Sequence, residues 1–220
     1  EFGKMRNPGE VPPGGGNFAE NDVKYLYKYL GRNGAIAISH TSGTGMGTDW
    51  RDNDPMVEPV VEIFQGARTS YEQIGAPLTA KSPDPKDAPG GYEPAGYVNN
   101  AWGKGYRLGV ITSSDHGSTH LSYALVYTQD RSRQGIIDAI KRRHTYGATD
   151  NIVLDYRMGE HFMGDDFEAA GALPIRIYAR GTKAIAAIRI IRDQKVIFSV
   201  NPGAQEKTLS FRDNNITRGG

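Results

Sequence analysis

The 220-residue chain contains no cysteine, which removes disulfide frameworks, thiolate zinc sites and cysteine nucleophiles together. The same absence leaves the compartment open, since secreted proteins need not carry disulfides. A dominant charge is also missing: 26 basic against 25 acidic side chains give +1. So close a balance argues against a nucleic-acid groove or an anionic membrane surface as the main partner. No apolar run approaches the roughly 20 residues of a membrane helix. The chain starts Glu1-Phe2-Gly3-Lys4 with no initiator methionine. A signal peptide lost upstream would make the protein periplasmic or secreted, and otherwise it is cytoplasmic.

What is abundant is loop-forming residues. The 28 glycines and 12 prolines make about 18% of the chain, against a usual share of roughly 12%. Residues 1–17 are Gly/Pro-rich without apolar periodicity and read as a lead-in. From there Val23, Leu26, Tyr27 and Leu30 keep helical spacing, with Asn21 or Asp22 as N-cap and Gly31 as the stop. Ala35 to Ser39, Val60 to Phe64 and Leu108 to Thr112 are short apolar runs of the kind buried on both faces in a parallel sheet. A long Pro/Lys/Asp loop, Ala67 to Pro94, separates the second from the third, followed by a weak helix from Ala95 to Trp102. Ser122 to Thr128 reads as a strand, and Ser132 caps a helix carrying Ile136, Ile137 and Ile140 on one face. Beyond about residue 150 the period becomes two: Leu173, Ile175, Ile177 and Ala179 alternate with Pro174, Arg176, Tyr178 and Arg180. Ile188 to Ile190 and Val196 to Phe198 read as a hairpin around Asp193-Gln194-Lys195, and Thr208 to Arg212 as one more strand. The implied division is 1–17 lead-in, 18–149 α/β domain and 150–220 β-rich extension.

Imidazoles and carboxylates gather at the ends of the expected parallel strands, where functional groups collect in α/β proteins. The first strand delivers His40, the second contains Glu62, and the third delivers Asp115 and His116, with His120 four residues on. These donors suit Zn²⁺, Mn²⁺ or Fe²⁺ and, with one position open, activation of water. Neighbouring strand residues face opposite ways, so Asp115 and His116 reach one ion only if the strand has ended, which Gly117 allows. Otherwise His120 takes the place of one of them and the unused group orients a ligand by hydrogen bonding. Glu62, His120 and His144 are thus further ligand or ligand-orienting candidates, and Arg68 and Arg143 candidate phosphate-binding residues. Each has an ordinary alternative: a hydrogen-bonded histidine, an ion-paired glutamate, or, for Lys141 to Arg143, cations at the negative end of a helix. Gly43-Thr44-Gly45-Met46-Gly47 lacks dinucleotide-binding spacing and no amphipathic helix follows it. Neither a phosphate-loop lysine nor a G-x-S-x-G elbow is present, which leaves Ser113 or Ser114 beside His116 without the sharp turn a serine nucleophile needs.

Taken in order, Ile38-Ser39-His40-Thr41, Val61-Glu62-Ile63-Phe64-Gln65-Gly66, Ser70-Tyr71-Glu72, Thr112-Ser113-Ser114-Asp115-His116 and Arg142-Arg143-His144-Thr145-Tyr146-Gly147 resemble the later part of the PHP (polymerase and histidinol phosphatase) superfamily. Within it the sequence is similar to an uncharacterised bacterial branch with a β-rich C-terminal extension. The resemblance implies a distorted TIM-like (β/α) barrel with a divalent-metal cluster at the strand ends and phosphoester hydrolysis. It places His40 in the later His motif and Asp115 in the closing Asp-x-His motif, with His116 the adjacent candidate ligand. The opening His-x-His and the middle His and Glu ligands of that pattern are absent, and Asp115 and His116 have no residue between them. The expectation is therefore an α/β chain: a partial distorted (β/α) barrel of PHP type followed by a small antiparallel β domain. Its function would be that of an N-terminally incomplete metal-dependent hydrolase acting on a small-molecule phosphoester. The alternative is a non-catalytic binding module that keeps the scaffold. Neither nucleic acid nor membrane is expected as a partner, and the oligomeric state is not readable.

Overall fold

The computed structural model describes residues 23–47, 50–116 and 118–215. The lead-in 1–17, the N-cap candidates Asn21 and Asp22, and Gly117 lie outside the described residues. The chain divides into two compact units, Glu1–Gly147 and Ala148–Gly220.

The first unit opens with helix α1 (Val23–Arg32). The helix runs past Gly31 to Arg32 and is closed off by Gly34, whose φ of 65° supplies the left-handed turn, while Ala35 N–H closes on Leu30 O at 3.0 Å. Strands β1 (Ile38–Ser39), β2 (Val60–Gln65) and β3 (Gly109–Ser113) form a three-stranded sheet in that order, with both pairings parallel. After β2 a short 3-10 turn (Pro94–Gly96) leads into helix α2 (Val98–Gly103). Val98 and Ala101 of that helix pack with Val61, Leu108 and Trp50 into a core that Ile63, Trp102 and Val110 extend. Both indole nitrogens are satisfied, Trp50 on Gly96 O and Trp102 on Leu108 O. Strand β4 (Tyr123–Val126) and helix α3 (Arg133–Lys141) follow, and β5 (Thr145–Ala148) pairs with β4. The Ser132 hydroxyl accepts from Gly135 N–H and caps α3.

This architecture overturns the (β/α) barrel. About 29% of the described residues are strand and 15% helix, the sheets are small, and there are three α-helices among them. A barrel needs a covering helix after each parallel strand. Here the described part of the β1–β2 crossover carries no helix, and the β2–β3 crossover reaches α2 only after some thirty residues of loop. The residues responsible are those in excess: Gly43, Gly45 and Gly47 in the first crossover and Pro77, Pro83, Pro85 and Pro89 in the second interrupt any helical run.

The second unit is antiparallel. Strands β6 (Val153–Met158), β7 (His161–Phe162), β8 (Pro174–Arg180) and β11 (Glu206–Arg212) form a sheet in the order β11-β8-β6-β7. Strands β9 (Ile188–Arg192) and β10 (Lys195–Val200) pair as a separate hairpin. Asp193 and Gln194 adopt φ of 49° and 63° at its tip, the double left-handed conformation of a tight hairpin turn. One face of the four-stranded sheet buries Ile175, Ile177 and Ala179 with Ile190, enlarged by Leu154, Tyr156, Phe198 and Phe211.

Candidate functional site

Three adjacent parallel strands bring the chemically active groups of the first unit to one end. His40 follows β1 directly and is exposed. Glu62 lies within β2, only 5% exposed. Asp115 comes two residues after β3, with His116 beside it. The backbone at two of these ends is held in the left-handed region: Thr41 at φ 51° and Asp115 at φ 59°. For a buried β-branched residue such as Thr41 that conformation is strained, and strain of this kind concentrates at binding and catalytic sites. Next to it Ser42 Oγ is buried without a hydrogen-bond partner among the described residues.

Glu62 is the most heavily engaged of these groups. Ser113 Oγ donates to its Oε1 at 2.8 Å and Gln65 Nε2 to its Oε2 at 3.4 Å, while Tyr71 OH donates to Gln65 Oε1 at 3.3 Å. On a regular strand Glu62 and Gln65 would face opposite ways. They meet because Glu62 and Phe64 oppose the consecutive residues Ile111 and Thr112, so that Ile63 is an inserted, bulged residue. Burial pushes the Glu62 carboxyl above its usual value; the Ser113 hydrogen bond and the nearby His40 imidazole act in the other direction. Burial likewise raises the Tyr71 hydroxyl.

Asp115 is held from two sides. Arg68 Nε donates to its Oδ2 at 3.1 Å, and its own N–H reaches Ser113 Oγ at 3.3 Å. His116 Nε2 lies 3.6 Å from Oδ1, but the His116 side chain is 92% exposed. Arg68 Nη1 also donates to Pro89 O at 2.9 Å, so a single guanidinium joins Asp115 to the long loop after β2. That loop is fastened to the one after β1 as well, through Gly45 N–H on Gly90 O and Glu93 N–H on Gly43 O. Gly43 and Gly90 permit this approach. A Cβ at Gly43 would stand 2.3 Å from the Tyr97 ring, and one at Gly90, where φ is 93°, 2.3 Å from Arg68 Nη1.

The segment bearing Asp115, His116 and His120 is stapled at its base. Ser114 Oγ donates to Ser122 O and accepts from the N–H groups of Leu121 and Ser122, and Ser122 Oγ donates to Ser113 O. An open cleft of about 570 Å³ runs along this segment, with Ser113, Asp115, His116 and Tyr123 in its wall. His120 is exposed and its Nδ1 lies 2.9 Å from Thr119 Oγ1.

The other sequence candidates lie elsewhere. Arg143 packs its stem against Gly109, at the amino end of β3, and the strand after His144 binds Val110 O through Thr145 Oγ1. Both therefore belong near the end of β3 opposite Asp115. The Gly-rich stretch after β1 is no anion cradle: Thr44, Gly45 and Gly47 spend their N–H groups on backbone carbonyls and Met46 spends its own on Thr44 Oγ1. For a divalent cation the donor types present are right, imidazole and carboxylate, but the number is not. Among the described residues no group of three or more His, Asp or Glu side chains converges closely enough to hold an ion. The sequence reading missed the Gln65–Glu62–Ser113 chain, because a bulge breaks the alternation, and the Arg68 clamp, because Arg68 and Asp115 lie 47 positions apart.

No protein-family model matches the chain, and no solved structure matches it. It is similar to an uncharacterised protein of Chlamydia trachomatis, 24% identical over an alignment of 211 positions that covers 86% of this chain and 33% of that protein. The chain spans about a third of the length of the curated relative it matches.

Proposed function

We propose that the carboxyl ends of β1, β2 and β3 form part of the active site of a metal-dependent hydrolase of phosphoesterase type. The observation that supports this reading is that His40 just after β1 and Asp115 just after β3 lie close enough to Glu62, midway along β2 between them, to act on its carboxyl. His40 and Asp115 are the residues offered to a divalent ion. When bound, such an ion supplies charge neutralisation at phosphorus and an activated water. The chain's own part is positional. Arg68 and Ser113 fix the Asp115 carboxylate and its backbone, and Glu62, hydrogen-bonded on both oxygens by protein donors, fixes Ser113 rather than contacting substrate.

The test is metal analysis of protein purified without chelator, alongside His40→Ala and Asp115→Ala variants. Bound transition metal in the parent that drops in both variants is the expected result; a parent free of metal, even after incubation with Mn²⁺ or Zn²⁺, ends the proposal. A second reading, a binding module that keeps the arrangement without the chemistry, is favoured by the lack of a three-donor group among the described residues. Phosphomonoester and phosphodiester assays with Mn²⁺, Zn²⁺ and Mg²⁺ separate the two. Turnover abolished by Asp115→Ala counts against the binding module.

A further inference from the structure

The second unit has a face that its own core does not use. Along β8 the side chains alternate: Ile175, Ile177 and Ala179 are buried, whereas Arg176 and Arg180 are exposed and Tyr178 is half-buried between them. The register sets their neighbours. Arg176 lies between Arg157 on β6 and Ser210 on β11, Tyr178 between Asp155 and Thr208, and Arg180 between Val153 and Glu206. Arg157 is occupied, donating to Asp155 at 3.0 Å and lying 5.1 Å over the Phe162 ring. The side chains of Arg176 and Arg180 have no ion pair or hydrogen bond among the described residues. Arg176 also stands directly opposite Arg157 across the pairing, and the Asp155 carboxylate beside them bonds Arg157 alone, so Arg176 faces a like charge with no carboxylate of its own. Four residues of extended chain place Arg176 and Arg180 about 13 Å apart on the same face.

We propose that this face of the β6-β8-β11 sheet binds an anionic polysaccharide, with Arg176 and Arg180 each taking a carboxylate or sulfate group and the Tyr178 ring packing against the sugar between them. Charge complementarity selects an anion, since guanidinium groups present a planar fork to carboxylate and sulfate oxygens. The rest of the face selects a sugar. An aromatic ring sits between the cations, and Thr208, Ser210 and Asp155 beside it offer hydroxyl and carboxylate partners to sugar hydroxyls. A nucleic-acid track is disfavoured by Asp155 and Glu206 within the same face and by its single stacking ring. An acidic peptide leaves the ring and the hydroxyl row without a role. The inference stands on the second unit alone and is independent of the hydrolase reading.

The experiment is titration of the full chain with heparin, with hyaluronan, which carries carboxylates but no sulfates, with a thymidine oligonucleotide and with polyglutamate. Expected is saturable binding of heparin or hyaluronan, the preferred one identifying sulfate or carboxylate as the anion. Arg176→Ala/Arg180→Ala should weaken it about tenfold or more, with Tyr178→Ala weakening it less and Arg131→Ala/Arg133→Ala leaving it unchanged. Far-UV circular dichroism verifies the fold of each variant, and Arg176→Gln/Arg180→Gln replaces the alanine pair if that pair misfolds. The proposal is overturned by absence of binding to both polysaccharides, by full affinity in the double variant or in Tyr178→Ala, by an equal loss in Arg131→Ala/Arg133→Ala, or by tighter binding of the oligonucleotide or polyglutamate.

Discussion

The two units build their interiors from different materials. In Glu1–Gly147 the buried groups include Thr41, Ser42, Glu58, Glu62, Gln65, Ser114 and Ser122, most tied to one another or to loop backbone. Among the described residues of Ala148–Gly220 the buried set is Ala148, Ile175, Ile177, Ala179 and Ile190, with Asp213 as the buried charge, paired to Arg192. Apolar burial is non-directional and tolerates small shifts, whereas a buried hydrogen-bond network holds each member in one place. The first unit is therefore suited to fixing groups at a site. The second is suited to carrying an exposed face on a stable sheet.

The sharpest way to break that contrast is to cut into each interior. Ile175→Ala on the central strand β8, at 1% exposure, should lower stability by about 2–5 kcal/mol, read from chemical denaturation followed by far-UV circular dichroism. A loss well under that range would mean that the sheet relaxes around the cavity and that its core is loosely packed. In the first unit the counterpart is Glu58→Ala. Glu58 accepts from Tyr27 OH at 2.5 Å, from Asn53 Nδ2 at 3.1 Å and from Ser39 Oγ. Leaving those donors unsatisfied should cost about 1–3 kcal/mol. Both tryptophans, Trp50 and Trp102, lie in this unit, so their fluorescence follows its unfolding, and an unchanged midpoint would show that the buried network is ornamental to stability.

A finer test uses pH. Burial raises the Glu62 carboxyl in the folded protein, so the folded state holds that proton more tightly than the unfolded chain does. The stability this contributes is fully present below the unfolded value and is lost as pH rises through the folded one. Glu62→Gln should remove that decline, and denaturation midpoints measured from the acid range to neutrality should run flatter than in the parent; parallel curves would contradict the burial argument. The most local effect is expected of Arg68→Ala. The pair with Asp115 is largely buried, its side chains 19% and 14% exposed, so leaving the carboxylate without that donor should cost about 1–3 kcal/mol. Amide exchange should quicken together at Gly90 and Gly91 and at Asp115, because one guanidinium ties both segments. Faster exchange at only one of them would separate the loop from the carboxylate.

The second unit was the more legible in the sequence, for reasons visible in β8. Its alternation of Ile175, Ile177 and Ala179 with Arg176 and Arg180 is a direct image of one buried and one open face. The first unit yielded the positions of β1, β2 and β3 but not their surroundings. The covering helices of a barrel are implied by the family resemblance alone, whereas the glycines and prolines that fill both crossovers are the reason no such helices form. Strands β5, β6 and β7 escaped because Thr145-Tyr146-Gly147-Ala148 and His161-Phe162 are too short or too polar to show a period. At the site, the chemistry-bearing residue types stood out, whereas Arg68, Gln65 and Tyr71 acquire meaning only from contacts that a linear pattern does not contain.

The inserted residue at Ile63 makes β2 behave like a reading frame. Upstream of it Val61 faces the α2 core; downstream the phase has shifted, so Gln65 turns towards Glu62. Losing or gaining one residue between Glu62 and Gln65 would exchange polar and apolar faces for the remainder of the strand. The count of residues there is thus a constraint in its own right, added to the chemistry of Glu62 and Gln65, which bond each other, and to the packing of Ile63 on the core.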